Sequence, residues 1–483
     1  MNNSHVLESL CEAERFVYAY INDAKKDETA FVKTIEMFKQ AQTIIFNSMI
    51  TNEEAVILQK LKEKHAYKLI NKEAKKFRSF LTNFGNISAP IDVIKESDFV
   101  ITIGCCISAD DALLASALET AYKDNNAYIA YMHPLEDKAL NHVLSQHMKH
   151  EVGSEEGLLA VLADFVLNTQ AKEKHKAFFD ELDMGYICGE SSVGEEEFDL
   201  MYQKLLQSKK SALVVGSDVF NHPRAKNIAK LLGLMCKYSD LDIVMIAPEL
   251  NSLGVTLICD LDDVALGKTI GYNVEADYEL SFLGKGNLDM PSLGQQMGTI
   301  TSLNKSVVVL NAPAAYEGYT LNDIANALGV QAKKVIEYTA KLPVASGYKA
   351  VAFNDLENSV YALENVNVKI EDDNLEEIDD ISEFNGTVMY RCNHPLSQLN
   401  PYKNEGHQAK GGLEILGSKQ FATAARIKSG TMVRFEMDGK TYERKLKVSE
   451  NLKGTVAYNP VFDSTENYDE YRYKRVILEE VNE

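Results

Sequence analysis

The sequence predicts an α/β protein of two doubly wound parallel-sheet domains followed by a small β-rich domain, and three observations carry that expectation. Strand-like and helix-like segments alternate from about residue 29 to 170, and such order implies a parallel sheet covered by helices. The same strand–turn–helix–strand layout returns near residue 210. Beyond an acidic run at residues 371–383 the grammar changes to short strands and turns. At 483 residues the chain is long enough for about three domains at roughly 150 residues each. The expected limits are 1–172 and 173–365 for the α/β domains, 366–383 for an acidic linker and 384–483 for the β domain.

In the first unit, "AQTIIFNSMI" is an apolar strand. "TNEEAVILQKLKEKH" opens as a capping box, with Thr51 or Asn52 as N-cap and Glu54 close behind, and then interleaves Val56, Leu58 and Leu61 with charges. "DFVITIG" and "NAYIAYMHP" are further strands, separated by the amphipathic "DALLASALETAYKDN". In the second unit "ALVVG" is a buried-type strand, Pro223 suits a first helical turn, Ala225 to Met235 form a helix, and "DIVMIAP" is the next strand. Residues 371–383 hold eight carboxylates and no basic residue, a self-repelling composition that suits a linker. After it come "FNGTVMYRC", "TMVRFEMDGKTYERKLKVS" with a "DG" hairpin signal, "KGTVAYNP" and "YKRVILEEV".

Composition narrows the function. A formal charge of −21 argues against a nucleic-acid partner, because phosphate affinity comes largely from clustered Lys and Arg. The opening residues have no basic and apolar export signal, and "EGLLAVLADFVLN", broken by Asp164, is far short of the roughly 20 apolar residues of a spanning helix. A cytosolic protein without direct membrane insertion is expected. Its seven cysteines are scattered and contain no CxxC, which reads as reduced thiols and removes the usual iron–sulfur and zinc-ribbon patterns.

Motifs that tempt toward chemistry have plainer readings. "LGKTIG" lacks the earlier glycine of a phosphate loop, and Asp262 stands where it belongs. His142, His147 and His150 fall within nine residues, and the last two would share a helical face and suit a metal; with no second ligand cluster, a solvated helix is the expectation. His222 and His394 each precede Pro, which biases them to extended backbone in loops. No GxSxG occurs. No catalytic and no metal residue is assigned.

Several stretches together resemble one family. "FNSMITNEEAVILQKLKEK", "IKESDFVITIG", "MPSLGQQMGTITSLNKSVVVLNAPAAYEGYTLNDIANALGV" and the C-terminal "LGSKQFATAARIKSGTMVRFEMDGKTYERKLKVSENLKGTVAYNPVFD" resemble, in that order, the molybdopterin-oxidoreductase-like portion of the G subunit of NADH:quinone oxidoreductase, respiratory complex I. The resemblance implies Rossmann-like α/β domains and a double-psi, molybdopterin-dinucleotide-binding-like β-barrel. It implies a peripheral-arm scaffold, associated with the inner membrane through a complex, whose partners are the other peripheral-arm subunits. The cysteine-ligand region at the start of that family has no counterpart here, so iron–sulfur clusters are expected only in partner chains.

The resemblance also places a vestigial pterin site at Gly104, Cys105, Gly216 and Ser217, at the carboxyl ends of two strands, where open α/β sheets bind ligands. Molybdenum-carrying relatives offer small polar residues after the "DFVITIG" strand, and Cys105, Cys106 and Ile107 donate poorly. Met297 likewise stands where relatives carry Glu. Molybdopterin is therefore expected to be absent. Two alternatives stand beside this reading: a free-standing molybdopterin-dependent oxidoreductase, and a truncated paralogue serving as a small-molecule binding module.

Overall fold

The computed structural model describes residues 20–21, 24–25 and 28–481, leaving out 283–285, 315, 357–359, 365, 367, 369–373, 381–386, 393–413, 438, 451, 453 and 461–469. Two five-stranded parallel sheets form its α/β part. The first runs Leu288–Asp289, Tyr278–Ser281, Thr269–Tyr272, Thr43–Phe46, Lys68–Ile70. The second runs Gln146–Met148, Tyr128–Met132, Phe99–Ile103, Ser211–Val215, Leu241–Met245. Residue 172 lies between strands that hydrogen-bond side by side, Phe99–Ile103 and Ser211–Val215. The whole second sheet is also inserted, in sequence, between residue 70 and residue 269 of the first.

Burial on both faces explains why these strands read as continuous apolar runs rather than as alternating ones. Phe99, Ile101 and Ile103 pack into one core with Met132, Leu213 and Val215, while Val100 on the opposite face joins Ile129, Tyr131 and Val214. The helix Asn52–His65 starts as its sequence predicts. Thr51 accepts from the Glu54 N–H at 3.1 Å and the Glu54 carboxylate accepts from the Thr51 N–H at 2.9 Å. The helix Ala225–Tyr238 packs against the second sheet through Ile228, Leu231, Leu232 and Met235.

One element departs from expectation. The segment with His147 and His150 is not a helix: Gln146–Met148 is a short parallel strand on Tyr128–Met132. Its pairing uses the backbone groups a helix would need. His147 Nε2 then meets the His133 carbonyl at 2.9 Å and His150 Nδ1 the Glu151 carbonyl at 2.8 Å. Among the described residues no three His, Cys, Asp or Glu side chains are placed to share a metal. His222 has the extended ψ of 142° that its following proline favours. His394 lies outside the described residues.

A three-stranded antiparallel sheet, Gly298–Thr301, Ser306–Leu310 and Val360–Ala362, packs on the first unit. The C-terminal sheet has seven strands in the order Tyr473–Arg475, Val388–Cys392, Val456–Pro460, Glu414–Gly417, Lys440–Val448, Met432–Met437, Glu479–Glu480. Residues 476–478 join its two edge strands. Such a connection reaches at most about 14 Å, whereas seven flat strands are about 29 Å across. The sheet therefore curls until its edges approach, enclosing Met389, Ile415, Phe421, Val433, Phe435 and Leu446. Within the acidic run, described residues 374–380 lie as a strap on the second unit: Asn227 and Arg224 bond Glu376, Lys230 bonds the Asn374 carbonyl, and Leu375 and Ile378 pack on the core. No helix among the described residues is long and apolar enough to cross a membrane.

Candidate functional site

In the second sheet the chain steps outward twice from Phe99–Ile103, returns beside it at Ser211–Val215 and steps outward the other way. That reversal makes a crevice beyond the carboxyl ends of the two central strands, the usual ligand position of doubly wound sheets. Gly104, Cys105, Gly216 and Ser217 all lie there. The Gly216 N–H donates to the Ile103 carbonyl at 2.9 Å and the Asp218 N–H to the Gly104 carbonyl at 3.1 Å, so the two turns are tied together. Gly104 turns the chain at φ +71°. Cys105 is buried, and burial pushes its thiol up.

The tie needs both glycines. A Cβ on Gly216 would meet the Gly104 carbonyl oxygen at 2.2 Å and Cys105 Cβ at 2.4 Å, and backbone has no rotamer by which to yield. Gly216→Ala is expected to destabilise the protein by about 1–3 kcal/mol through overpacking, measured as a lowered urea midpoint. The same change at Gly189, where an added Cβ meets nothing within 4 Å, is the control.

The C-terminal sheet covers the crevice, and a side chain absent from the expected set fills it. Arg472 places two guanidinium nitrogens on Asp110, at 2.6 and 2.7 Å, and two on Asp218, at 2.5 and 2.9 Å. All three are almost wholly buried. Burial pushes the Asp218 carboxyl up to about 6, against the opposing pull of Arg472. Burial also works against the Arg472 charge, but the two carboxylates outweigh it and hold the guanidinium firmly protonated. The ring of Tyr390 lies 4.8 Å from the guanidinium, and its hydroxyl donates to Asp218 at 3.2 Å.

Aromatic groups from both sides complete the cover. The ring of Tyr473 lies tilted against that of Tyr390, centroids 4.5 Å apart, and its hydroxyl meets His133 Nε2 at 3.1 Å, while the Leu135 N–H donates to His133 Nδ1. Burial lowers the His133 pKa, which keeps the ring neutral. The Tyr471 hydroxyl donates to Glu155 at 2.8 Å. Some buried polar atoms here have no hydrogen-bond partner among the described residues: the Tyr131 hydroxyl, Asp137 Oδ1, Glu155 Oε2 and His150 Nε2. Asp137 is tied to the same corner by accepting from the Ser108 N–H at 2.7 Å.

The matching crevice of the first sheet lies between Thr43–Phe46 and Thr269–Tyr272. It is filled by the chain's own carboxylates. Glu54 accepts from Tyr272 and Thr51, Glu249 from the Ser48 N–H, and Glu73 from the Ser48 hydroxyl at 2.6 Å. Glu53 accepts from the Thr299 N–H at 2.7 Å and from the Thr299 and Thr339 hydroxyls at 2.9 and 2.7 Å. Burial raises the Glu53 and Glu54 pKa values. A pyrophosphate would meet negative charge in this crevice.

Against solved structures, the chain matches acetylene hydratase from Pelobacter acetylenicus with a TM-score of 0.68, over 94% of this chain and 86% of that one, at 8% identity. The chain shares the fold of that protein, mixed α/β with two parallel sheets and a curled C-terminal sheet. A weaker likeness is to the formyltransferase/hydrolase complex from Methylorubrum extorquens, in complex with methylofuran, at a TM-score of 0.45 and 11% identity, over 64% of this chain and 98% of that one. No family model and no curated protein matches the chain.

These findings correct two expectations. The kinship with the complex I G subunit has no support, since the structure matched along most of the chain is a hydratase and no sequence match leads to complex I. The expected absence of molybdopterin is overturned as well, because acetylene hydratase, whose fold this chain shares along most of its length, is a molybdopterin/tungsten enzyme. Judging that turn by Cys105 and Cys106 missed the polar groups that other elements bring to it. The residue that signals this is Arg472, hidden in "YDEYRYKR", where it reads as one more solvated charge.

Proposed function

We propose that this chain is a molybdopterin-type protein of the oxidoreductase class, free-standing rather than part of a quinone oxidoreductase, that takes the nucleotide end of a pterin cofactor at the crevice of its second sheet. The buried Asp110–Arg472–Asp218 cluster at the topological switch point carries this reading. An arginine fork is the side chain best shaped for a pyrophosphate, and carboxylates at the ends of such strands accept from ribose hydroxyls. The unpartnered Tyr131 hydroxyl and Asp137 Oδ1 supply further polar contacts beneath them. In kind, these groups fit a dinucleotide.

The crevice is closed as it stands, so binding requires residues 471–473 to withdraw and Arg472 to exchange two carboxylates for phosphate. When bound, such a cofactor supplies a molybdenum or tungsten centre. The chain's own contribution is to hold the nucleotide with Arg472 and to exclude water with Tyr390, which stands on Val388–Cys392 and need not move with residues 471–473.

The test uses the full chain expressed in a host that makes the cofactor. Co-purifying molybdenum or tungsten with a fluorescent pterin oxidation product is expected, as is a rise in melting temperature with a purine nucleoside diphosphate, probed with GDP and ADP, that Arg472→Met abolishes. Protein free of metal and pterin, with no nucleotide shift, would overturn the reading.

A further inference from the structure

A groove of about 290 Å³ lies away from this crevice, between the N-terminal end of the helix Glu155–Val166, the stretch 177–190 and the strap 374–380. Phe178, Leu182, Ile187, Leu375 and Ile378 give it an apolar floor and one apolar wall. Its volume is at the lower end of the range for small-molecule sites. Among the described residues that line it there is no lysine or arginine, but there are seven carboxylates.

Four of the seven are already engaged. Glu156 and Asp379 face Arg224, Asp183 caps the helix Met184–Ser191, and Asp380 accepts from Tyr186 at 3.0 Å. Glu181, Glu190 and Glu377 remain around an apolar interior. Arg224, which reaches Glu156 and Asp379, is spent on these and on Glu376. The half-exposed ring of Tyr186 stands at the rim, where an aromatic face favours a cation.

From this charge complementarity we infer that the groove binds a small organic cation, an amine or amidine on an apolar body. The apolar part lies on Phe178, Leu182 and Ile187, and the charge meets Glu181, Glu190 and Glu377. This inference is independent of any cofactor.

Benzamidine and the isosteric neutral benzamide separate charge from shape, and calorimetry with the full chain reads the difference. Benzamidine is expected to bind about tenfold more tightly than benzamide or better, and to weaken with added salt. The variant Glu181→Gln/Glu190→Gln/Glu377→Gln, all at exposed positions, should bring the two ligands to the same affinity. Equal binding of both ligands by the wild type, no binding of benzamidine, or a triple variant that still prefers benzamidine would overturn the inference. Binding of an arginine-rich peptide without binding of benzamidine would also overturn it, in favour of a partner protein.

Discussion

Arg472→Met is expected to cost about 3–5 kcal/mol at neutral pH, because removing one partner of a buried ion cluster leaves the others charged and uncompensated. Here two carboxylates would be left, Asp110 and Asp218, both buried and both bidentate with the lost guanidinium. The loss should be felt mainly by the C-terminal sheet, since Arg472 precedes its edge strand Tyr473–Arg475. Hydrogen exchange should therefore quicken in Val388–Cys392 and Tyr473–Arg475 well before it does in Ser211–Val215. The sign of the pH effect follows from Arg472, whose charge and hydrogen bonds pull the Asp218 carboxyl down against burial; without them it rises further, so the variant regains stability by taking up a proton as pH falls and loses it as pH rises. The variant should thus be less damaged at pH 5 than at pH 8. Adding Asp110→Asn and Asp218→Asn to Arg472→Met should recover most of the stability. A triple variant as unstable as the single one would show that packing, not charge, accounts for the loss.

Local signals were the legible part of this fold. The capping box at Thr51 and Glu54, the apolar runs that became central strands, and the glycines that end two of them depend only on residues a few places apart. The carboxyl-end position of the crevice followed from that pattern. What fills it did not, because Arg472 lies 254 residues from Asp218 and 362 from Asp110. No periodicity couples such distances. The same reason hides the pairing of Thr43–Phe46 with Thr269–Tyr272, which is set by tertiary packing after a whole sheet has been inserted between them. The strap at 374–380 misleads in the opposite direction. Its carboxylates read as self-repelling, yet Arg224, Asn227 and Lys230 collect the strap on a helix surface. His147 and His150 read as sharing the face of a solvated helix because spacing was the only guide, whereas the backbone there was recruited as a sheet edge.

Glu53→Ala is expected to be nearly as costly as the loss of Arg472, while Glu53→Gln should be tolerated, and the contrast rests on donor geometry. One Glu53 oxygen accepts from the Thr299 N–H, which cannot turn away, and the other accepts from two threonine hydroxyls, which can. A glutamine satisfies this set with its carbonyl toward the N–H and its amide donating to the reoriented hydroxyls. An alanine leaves three buried donors without an acceptor, each worth about 1–3 kcal/mol when unsatisfied. The same substitutions separate charge from hydrogen bonding. Burial raises the Glu53 pKa, so the folded state binds a proton that the unfolded state has released, and this contribution is present at low pH and lost as pH rises through the folded value. Glutamine mimics the protonated form at every pH. Urea unfolding at pH 5 and pH 8 should therefore find Glu53→Gln closest to wild type in acid and relatively more stable in base. If Gln and Ala were equally damaging at both values, Glu53 would not be the acceptor that ties the helix Asn52–His65 to Gly298–Thr301.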